Sequence, residues 1–456
     1  MAYPSYKKCT IQTQETPIPS HWNFLYGSAC FAENKEKYIA GTKPTILQFN
    51  YGKIVPKSFQ NVWDGDIDVY EKYTRVTPNT IMINGLNLNY DFVSQRVGIV
   101  KEEGIITSAY ISMNCRPVYD NNYAVYLLKT IDDKKIFHGM GTGIRLTMSF
   151  SDMKKMQFPV PPLQEQQQIV RYLDWKTSQI NHLIHGYEQL ISLLEERKTA
   201  VINEAVTKGI RKGVAMKDSG VHWLKEIPSH WNMVYSKQLF ALRKDRAFPE
   251  DEQLTSSQKY GIISQKKFME IEGRRVTVVL KGEDILKHVE KGDFVISMRS
   301  FQGGLEYSYV SGKISSAYVM LIPHHEHVYD EYYKWLFKSP SYIKALQGTS
   351  DLIRDGQALR YANFAKVYLP QVPIEEQQEI AEYISENVRM IEKTMRPIQE
   401  QIEYLRERRT RLISDVVTGA LDVRDVVVPE YVQEQDMEVT EDGDEYEGER
   451  AGETNC

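Results

Sequence analysis

Ile18-Pro19-Ser20-His21-Trp22-Asn23 is written a second time as Ile227-Pro228-Ser229-His230-Trp231-Asn232. Three more landmarks recur in the same order. Ser108-Ala109-Tyr110 returns as Ser316-Ala317-Tyr318, Gly141-Thr142 as Gly348-Thr349, and Glu165-Gln166-Gln167 as Glu376-Gln377-Gln378, at offsets of 207 to 211 residues. Such a run of matches marks one duplicated unit, a variable block followed by a long helix. A period this long is a domain duplication, because solenoid repeats are only about 20–50 residues. Two equivalent units present two equivalent surfaces, so the expected ligand is itself close to two-fold.

The helices are the more regular half of each unit. Between Pro161-Pro162 and Thr207 there is no proline and one glycine, Gly186. Apolar or aromatic residues stand at seven-residue steps, Leu173, Ile180, Tyr187, Leu194 and Val201, and the second copy repeats them at Ile384, Ile391, Ile398, Leu405 and Leu412. A second column runs four residues behind: Thr177, Ile184, Ile191, Lys198 and Ala205, then Val388, Met395, Ile402, Arg409 and Val416. Columns separated alternately by four and three residues form the seam of a coiled coil. A helix of about 43 residues spans about 65 Å at 1.5 Å per residue. Pro162 and Pro373 suit helix starts and Gly209 and Gly419 suit stops, whereas Pro397 falls inside the second helix and predicts a bend there. Both helices belong to one chain, so an internal antiparallel pair needs only loop closure and is favoured over a homodimeric coiled coil.

The blocks before the helices carry strand-like runs instead: Thr45 to Phe49, Thr80 to Ile83, Ile105 to Ser112, Val276 to Leu280, Phe294 to Met298 and Ile314 to Ile322. Short helices are expected at Tyr123 to Thr130 and Asp330 to Lys338. The fold class is therefore α+β, with two domains alternating with two long helices that pair as an antiparallel coiled coil about a pseudo-two-fold axis. The boundaries are a first domain at 1–162, a central helical spacer at 163–209, a second domain at 210–373, a distal helical spacer at 374–420 and an acidic, disordered tail at 421–456.

Charge separates body from tail. The net charge is −5, but residues 429–456 hold eleven acidic side chains and one basic, a net of −10 that leaves the rest at +5. A mildly basic body is compatible with a polyanionic ligand. With 456 residues and 42% hydrophobic content the chain can bury two or three cores. No apolar run approaches the roughly 20 residues that span a bilayer. Cys9, Cys30, Cys115 and Cys456 have no metal or redox spacing, and the first ten residues lack a signal sequence, so a cytoplasmic protein without metal is expected.

The variable stretches carry the binding candidates. Asn84 to Tyr90 reads N-G-L-N-L-N-Y, offering Asn84, Asn87, Asn89 and Tyr90, and the stretch from Arg299 reads R-S-F-Q-G-G-L-E-Y, offering Arg299, Ser300 and Gln302. Amide and guanidinium groups pair bidentately with adenine and guanine edges in the major groove. Gly141, Thr142, Gly143 and Arg145 in the first copy, and Gly348, Thr349, Arg354, Gln357 and Arg360 in the second, resemble a phosphate clamp. Lys53, Lys57, Arg75, Lys259, Arg274 and Arg275 add possible phosphate contacts. In the repeated hexapeptide, anchoring of the domain start by Trp22 and Trp231 is favoured over a ligand role for His21 and His230. The chain contains no nucleotide-phosphate loop, H-E-x-x-H, paired C-x-x-C, nucleophile elbow or dinucleotide fingerprint, and no N-P-P-Y or D-P-P-Y tetrapeptide, so it is not expected to be an enzyme by itself.

Two variable domains alternating with two helices, each introduced by P-P-L-x-E-Q or a near variant, resemble the specificity subunit of type I restriction-modification systems. The junction Phe158 to Gln166 follows the pattern, and Leu369 to Gln377 departs from it at Val372 and Ile374. The resemblance covers residues 1 to about 420 and implies that both domains are target recognition domains for double-stranded DNA. It implies a bipartite target with a fixed unread gap. It also implies two modification (methyltransferase) subunits as partners, joined in some complexes by two restriction subunits. S-adenosylmethionine, ATP and magnesium would then belong to those partners, with no cofactor in this chain. A DNA-independent coiled-coil scaffold, or the recognition subunit of a type II methyltransferase-nuclease, are the alternatives.

Overall fold

The computed structural model describes residues 2–11, 14–39, 44–57, 70–89, 95–141, 146–273, 285–297, 304–349 and 360–431. The chain forms two compact units, one made of Met1–Glu188 and Glu400–Cys456 and the other of Gln189–Gln399. Two helices, Leu163–Lys208 and Ile374–Val417, each begin in one unit and end in the other. They have 46 and 44 residues, hence lengths of about 69 and 66 Å at 1.5 Å per residue.

Sheet for sheet, the two units repeat each other. In the first, a four-stranded antiparallel sheet runs in the order Phe31–Glu33, Ile111–Cys115, Ile81–Ile83, Val97–Ile99. The second has Phe240–Leu242, Tyr318–Pro323, Phe294–Ser297 and Glu306–Tyr307 in the same order. Alternate residues on a strand face opposite sides. Ile81 and Ile83 therefore join the main core, while Met82 between them joins a smaller core with Leu47, Ile54, Val76, Val100 and Ile106. Phe294, Val295 and Ile296 split in the same way between the two cores of the second unit. Burial on both faces is why these strands read as unbroken apolar runs.

The Ser-Ala-Tyr landmarks are a correction to the sequence reading. The run Ile105 to Ser112 is two strands, Gly104–Ile106 and Ile111–Cys115, and Ile314 to Ile322 likewise divides into Gly312–Ile314 and Tyr318–Pro323. The landmark sits at the turn where the chain leaves a two-stranded ribbon for the main sheet. Hydrophobic residues on both sides of that turn conceal it from a reading of periodicity. The run Val276 to Leu280 lies outside the described residues. The expected short helices are Asn121–Asp133, capped by the Asp120 side chain on the Asn122 and Tyr123 amides, and Asp330–Lys338.

Within the first unit the helices run antiparallel, since Asn181 meets Arg409 at 2.6 Å and Glu188 meets Arg406 at 3.0 Å. In the second unit Lys198 lies 3.8 Å from Glu392 on the other helix. Lys198 and Arg409 are the charged members of the second seam column: Arg409 bonds across the pair to Asn181, while Lys198 pairs with Glu195 of its own helix at 2.8 Å and lies within 3.8 Å of Glu392 on the other. Polar seam residues of this kind fix register at a cost in stability. Leu173, Ile180, Ile184, Ala205, Ile384, Ile391, Leu405 and Val416 are buried; Tyr187, Leu194, Val201, Ile398 and Leu412 are half-buried. The helix continues through Pro397, whose ring is exposed, so the Lys393 carbonyl deprived of its amide donor is on the solvent side. Gly209 and Gly419 follow the helix ends at φ of 74° and 77°, the left-handed conformation that glycine adopts without a Cβ penalty.

A second correction concerns the segment from residue 421. Val423 is buried in the core of the first unit with Leu421 and Val426 packed beside it, and the Gln168 amide donates to the Val423 and Val426 carbonyls at 3.0 and 2.7 Å. Spaced valines and a leucine give this piece enough apolar surface to dock. The acidic stretch at 432–456 lies outside the described residues.

Candidate nucleic-acid interface

Each unit is built around one repeated joint. The Glu165 carboxylate, in the first turn of its helix, accepts from Tyr3 OH at 2.6 Å and Trp22 Nε1 at 2.9 Å, with His21 Nε2 at 2.8 Å. Glu376 takes Trp231 Nε1 at 3.1 Å and His230 Nε2 at 2.7 Å. A carboxylate there also meets the positive end of the helix dipole. The neighbouring glutamine completes the attachment. Gln166 accepts from the Asp120 amide and donates to the Val118 and Pro161 carbonyls, all within 2.9 Å; Gln377 does the same with Tyr329, His327 and Val372. Finally, Tyr123 OH donates to the Val417 carbonyl at 3.0 Å and Tyr332 OH to Val206 at 2.8 Å, fastening each domain to the end of the other helix. Burial raises both phenols far above their ordinary range, so they remain donors. The hexapeptide and the E-Q-Q triplet are thus the two sides of a rigid mount. Its residues were visible as repeats, but their pairing across more than 140 residues was not.

On this mount the first domain brings two of the candidate stretches together. The loop after strand Ile81–Ile83 turns at Asn84, whose Oδ1 accepts from the Leu86 amide at 3.1 Å. Gly85 lies against the segment that follows the other stretch: its carbonyl accepts from Met148 N at 2.9 Å, and a Cβ at Gly85 would fall 2.5 Å from the Met148 oxygen. Leu88 N donates to the Leu146 carbonyl at 3.1 Å, and Leu88 is fully buried. Gly141 packs against the Leu146 backbone, so its carbon approaches where no side chain fits. Asn87 is exposed at φ 52°, whereas Asn84 and Asn89 are half-buried. Tyr90, Thr142, Gly143 and Arg145 lie outside the described residues.

The remaining first-domain candidates separate into free and committed cations. Lys53 and Lys57 are exposed on the hairpin Leu47–Asn50/Lys53–Pro56. Arg75 is bound by Glu36 at 2.7 Å and Glu103 at 2.6 Å, contacts that would have to open before it met a phosphate. In the second domain Lys259 occupies the turn of the corresponding hairpin, Leu254–Ser257/Gly261–Ser264, with its ammonium 5.0 Å from the Tyr260 ring centre. Asn363 joins two more candidates: its Nδ2 donates to the Thr349 carbonyl at 2.8 Å and its Oδ1 accepts from the Arg360 amide at 3.1 Å. Gly348 and Arg360 are exposed. Arg274, Arg275, Arg299, Ser300, Gln302, Arg354 and Gln357 lie outside the described residues. Gly304, at φ 82°, fixes the chain just beyond Gln302, because a Cβ there would stand 2.3 Å from the Phe337 carbonyl.

Among the described residues no cluster of histidine, cysteine or carboxylate side chains could hold a metal ion, and no helix is long and apolar enough to cross a membrane. What each domain offers is a set of amide, hydroxyl and cationic groups on a braced scaffold, suited to hydrogen bonding with a polar, anionic ligand.

Residues 96–191 and 228–404 match the family model described as the type I restriction modification DNA specificity domain. Among curated proteins, the type I restriction enzyme MjaVIII specificity subunit of Methanocaldococcus jannaschii is 24% identical over 413 residues, covering 86% of this chain and 92% of that protein. A putative type I restriction enzyme MjaX specificity subunit from the same organism is 25% identical over 309 residues, 66% of this chain and 68% of the relative. Among solved structures, a chain from work on complex assembly and conformational transition of the type I R-M system aligns with a TM-score of 0.63 and 13% identity, over 89% of this chain and 99% of that one. At that identity the likeness speaks to the fold.

Proposed function

This chain belongs to the type I restriction-modification DNA specificity family, and from that premise we propose how it reads and presents its target. It recognises double-stranded DNA by sequence and directs the restriction-modification complex to it. In this reading each domain reads one half of a bipartite target. The observation that carries the proposal is the duplication: one mount and one four-stranded sheet are built twice, while the loops leaving the equivalent strands Ile81–Ile83 and Phe294–Ser297 differ in length and in most of their sequence. A constant frame with divergent loops is what two different half-sites require. The helices then act as a spacer that fixes an unread gap.

The chemistry of the complex falls to its partners in this proposal. Two modification subunits dock on the helices and domains and methylate adenine with S-adenosylmethionine, and two restriction subunits supply ATP- and magnesium-dependent cleavage where the system retains them. The chain itself holds no cofactor and works in the cytoplasm, where the DNA is. The test is selection from random duplex DNA by the full chain with its modification subunits, repeated at several salt concentrations. One gapped motif, with affinity falling steeply as salt rises, supports the proposal because phosphate contacts release counterions. Binding without a motif, or no binding, would favour a protein scaffold.

A further inference from the structure

Among the described residues Arg96 is the one arginine in the set of largest fully buried side chains, with 1% exposure. Its guanidinium serves the Asn84–Asn89 loop: Nη1 donates to the Asn84 carbonyl at 3.0 Å and the Leu86 carbonyl at 2.8 Å, and Nη2 reaches the Asn87 carbonyl at 3.4 Å. The main chain adds a further tie, since Asn84 N donates to the Arg96 carbonyl at 2.8 Å. The arginine is itself held from below, with its amide donating to Asp132 Oδ2 at 2.7 Å, and Asp132 is 2% exposed near the end of the domain's helix. Burying a guanidinium is costly unless its donors are used. Here three of its five N–H donors are used on three carbonyls of one short loop, and the planar fork reaches them at fixed angles that lysine cannot reproduce.

Resting on the DNA-recognition reading above, we propose that Arg96 is a specificity-determining positioning residue: from inside the first domain it sets the conformation in which the Asn84–Asn89 loop presents its amide side chains to the bases of one half-site. It touches no DNA. At the equivalent position of the second unit, immediately before strand Glu306–Tyr307, stands Leu305, an apolar side chain 1% exposed. Any effect of Arg96 on base reading is therefore confined to one half of the target.

The experiment is duplex selection with the full chain and its modification subunits, for the wild type, Arg96→Met and Arg96→Lys. Hydrogen exchange of strands Ile81–Ile83 and Ile111–Cys115 is measured in parallel. Arg96→Met should lower discrimination at least tenfold at one or more positions of one half-site. The other half-site and the gap should be unchanged, with wild-type protection of both strands. Arg96→Lys should fall between the two, since one ammonium can satisfy some of the three carbonyls. Unchanged discrimination in Arg96→Met, or equal relaxation of both half-sites, would overturn the proposal. So would loss of strand protection in both variants together with the half-site, which would make Arg96 a fold residue. If the wild type selects no motif, the recognition reading fails and takes this inference with it.

Discussion

Replacing Glu165 by alanine tests the mount, and the structure sets the expected size. The carboxylate is 6% exposed and serves Tyr3 OH, Trp22 Nε1 and His21 Nε2. Tyr3 and Trp22 are buried at 4% and 0% exposure, so their donors lose their acceptor where water does not enter. The His21 side chain is 38% exposed and can turn to solvent. A buried donor left unsatisfied costs about 1–3 kcal/mol, so Glu165→Ala should destabilise the first unit by about 2–6 kcal/mol. Glu376 has one fully buried donor, Trp231 Nε1, beside a part-exposed His230, and Glu376→Ala should cost the second unit about 1–3 kcal/mol. Hydrogen exchange reads each unit separately, through strands Asn23–Tyr26 and Asn232–Tyr235, which pair with Gln157–Val160 and Tyr368–Gln371. The expected result is a larger fall in opening free energy at the first strand in Glu165→Ala than at the second in Glu376→Ala. Equal losses, or none in Glu165→Ala, would refute the idea that the carboxylate secures the joint.

Three further outcomes follow from the same structure. Removing Gln189–Ser192 and the equivalent Glu400–Glu403 shortens each helix by about 6 Å and steps one seam column onto the other, so selected targets should keep both half-sites and lose one or two base pairs of gap at about 3.4 Å each; altered half-sites would refute the spacer. Arg299→Ala should relax one position in one half-site, measured by competition among single-base variants, whereas uniform weakening on all DNA would identify a phosphate contact. For His288, burial opposes the charge, but hydrogen bonds to Glu290 and Asp251 outweigh it and raise the pKa above 6.5. A raised folded value means that its stabilisation is complete below 6.5 and is lost as pH rises through the folded pKa. Protection of strand Lys287–Val289 should therefore decline over that range and flatten in His288→Gln; a decline that persists in the variant would assign it elsewhere.

Much of the frame was legible because it is periodic or repeated. Heptad columns announced the helices, and left-handed Gly209 and Gly419 stand at their ends. The turn at Ser108-Ala109-Tyr110 was hidden because apolar residues continue on both sides of it. Pro397 could be tolerated only because it faces solvent, a fact that depends on what covers the helix. The loss of register between sequence and site is greatest for buried polar groups. Nothing in the string distinguishes Arg96 from a surface arginine, or Glu165 from any helical glutamate, since their partners come from segments far along the chain. Similarly, Arg75 reads as a free cation until Glu36 and Glu103 are seen beside it.

The central claim is that this chain supplies the DNA address for a modification complex. A genome-wide map of methylated adenine in the source organism, with the gene present and deleted, tests it most directly. The account predicts that deletion erases one asymmetric, gapped motif and leaves other methylation in place. An unchanged map from cells shown to express the gene would contradict it.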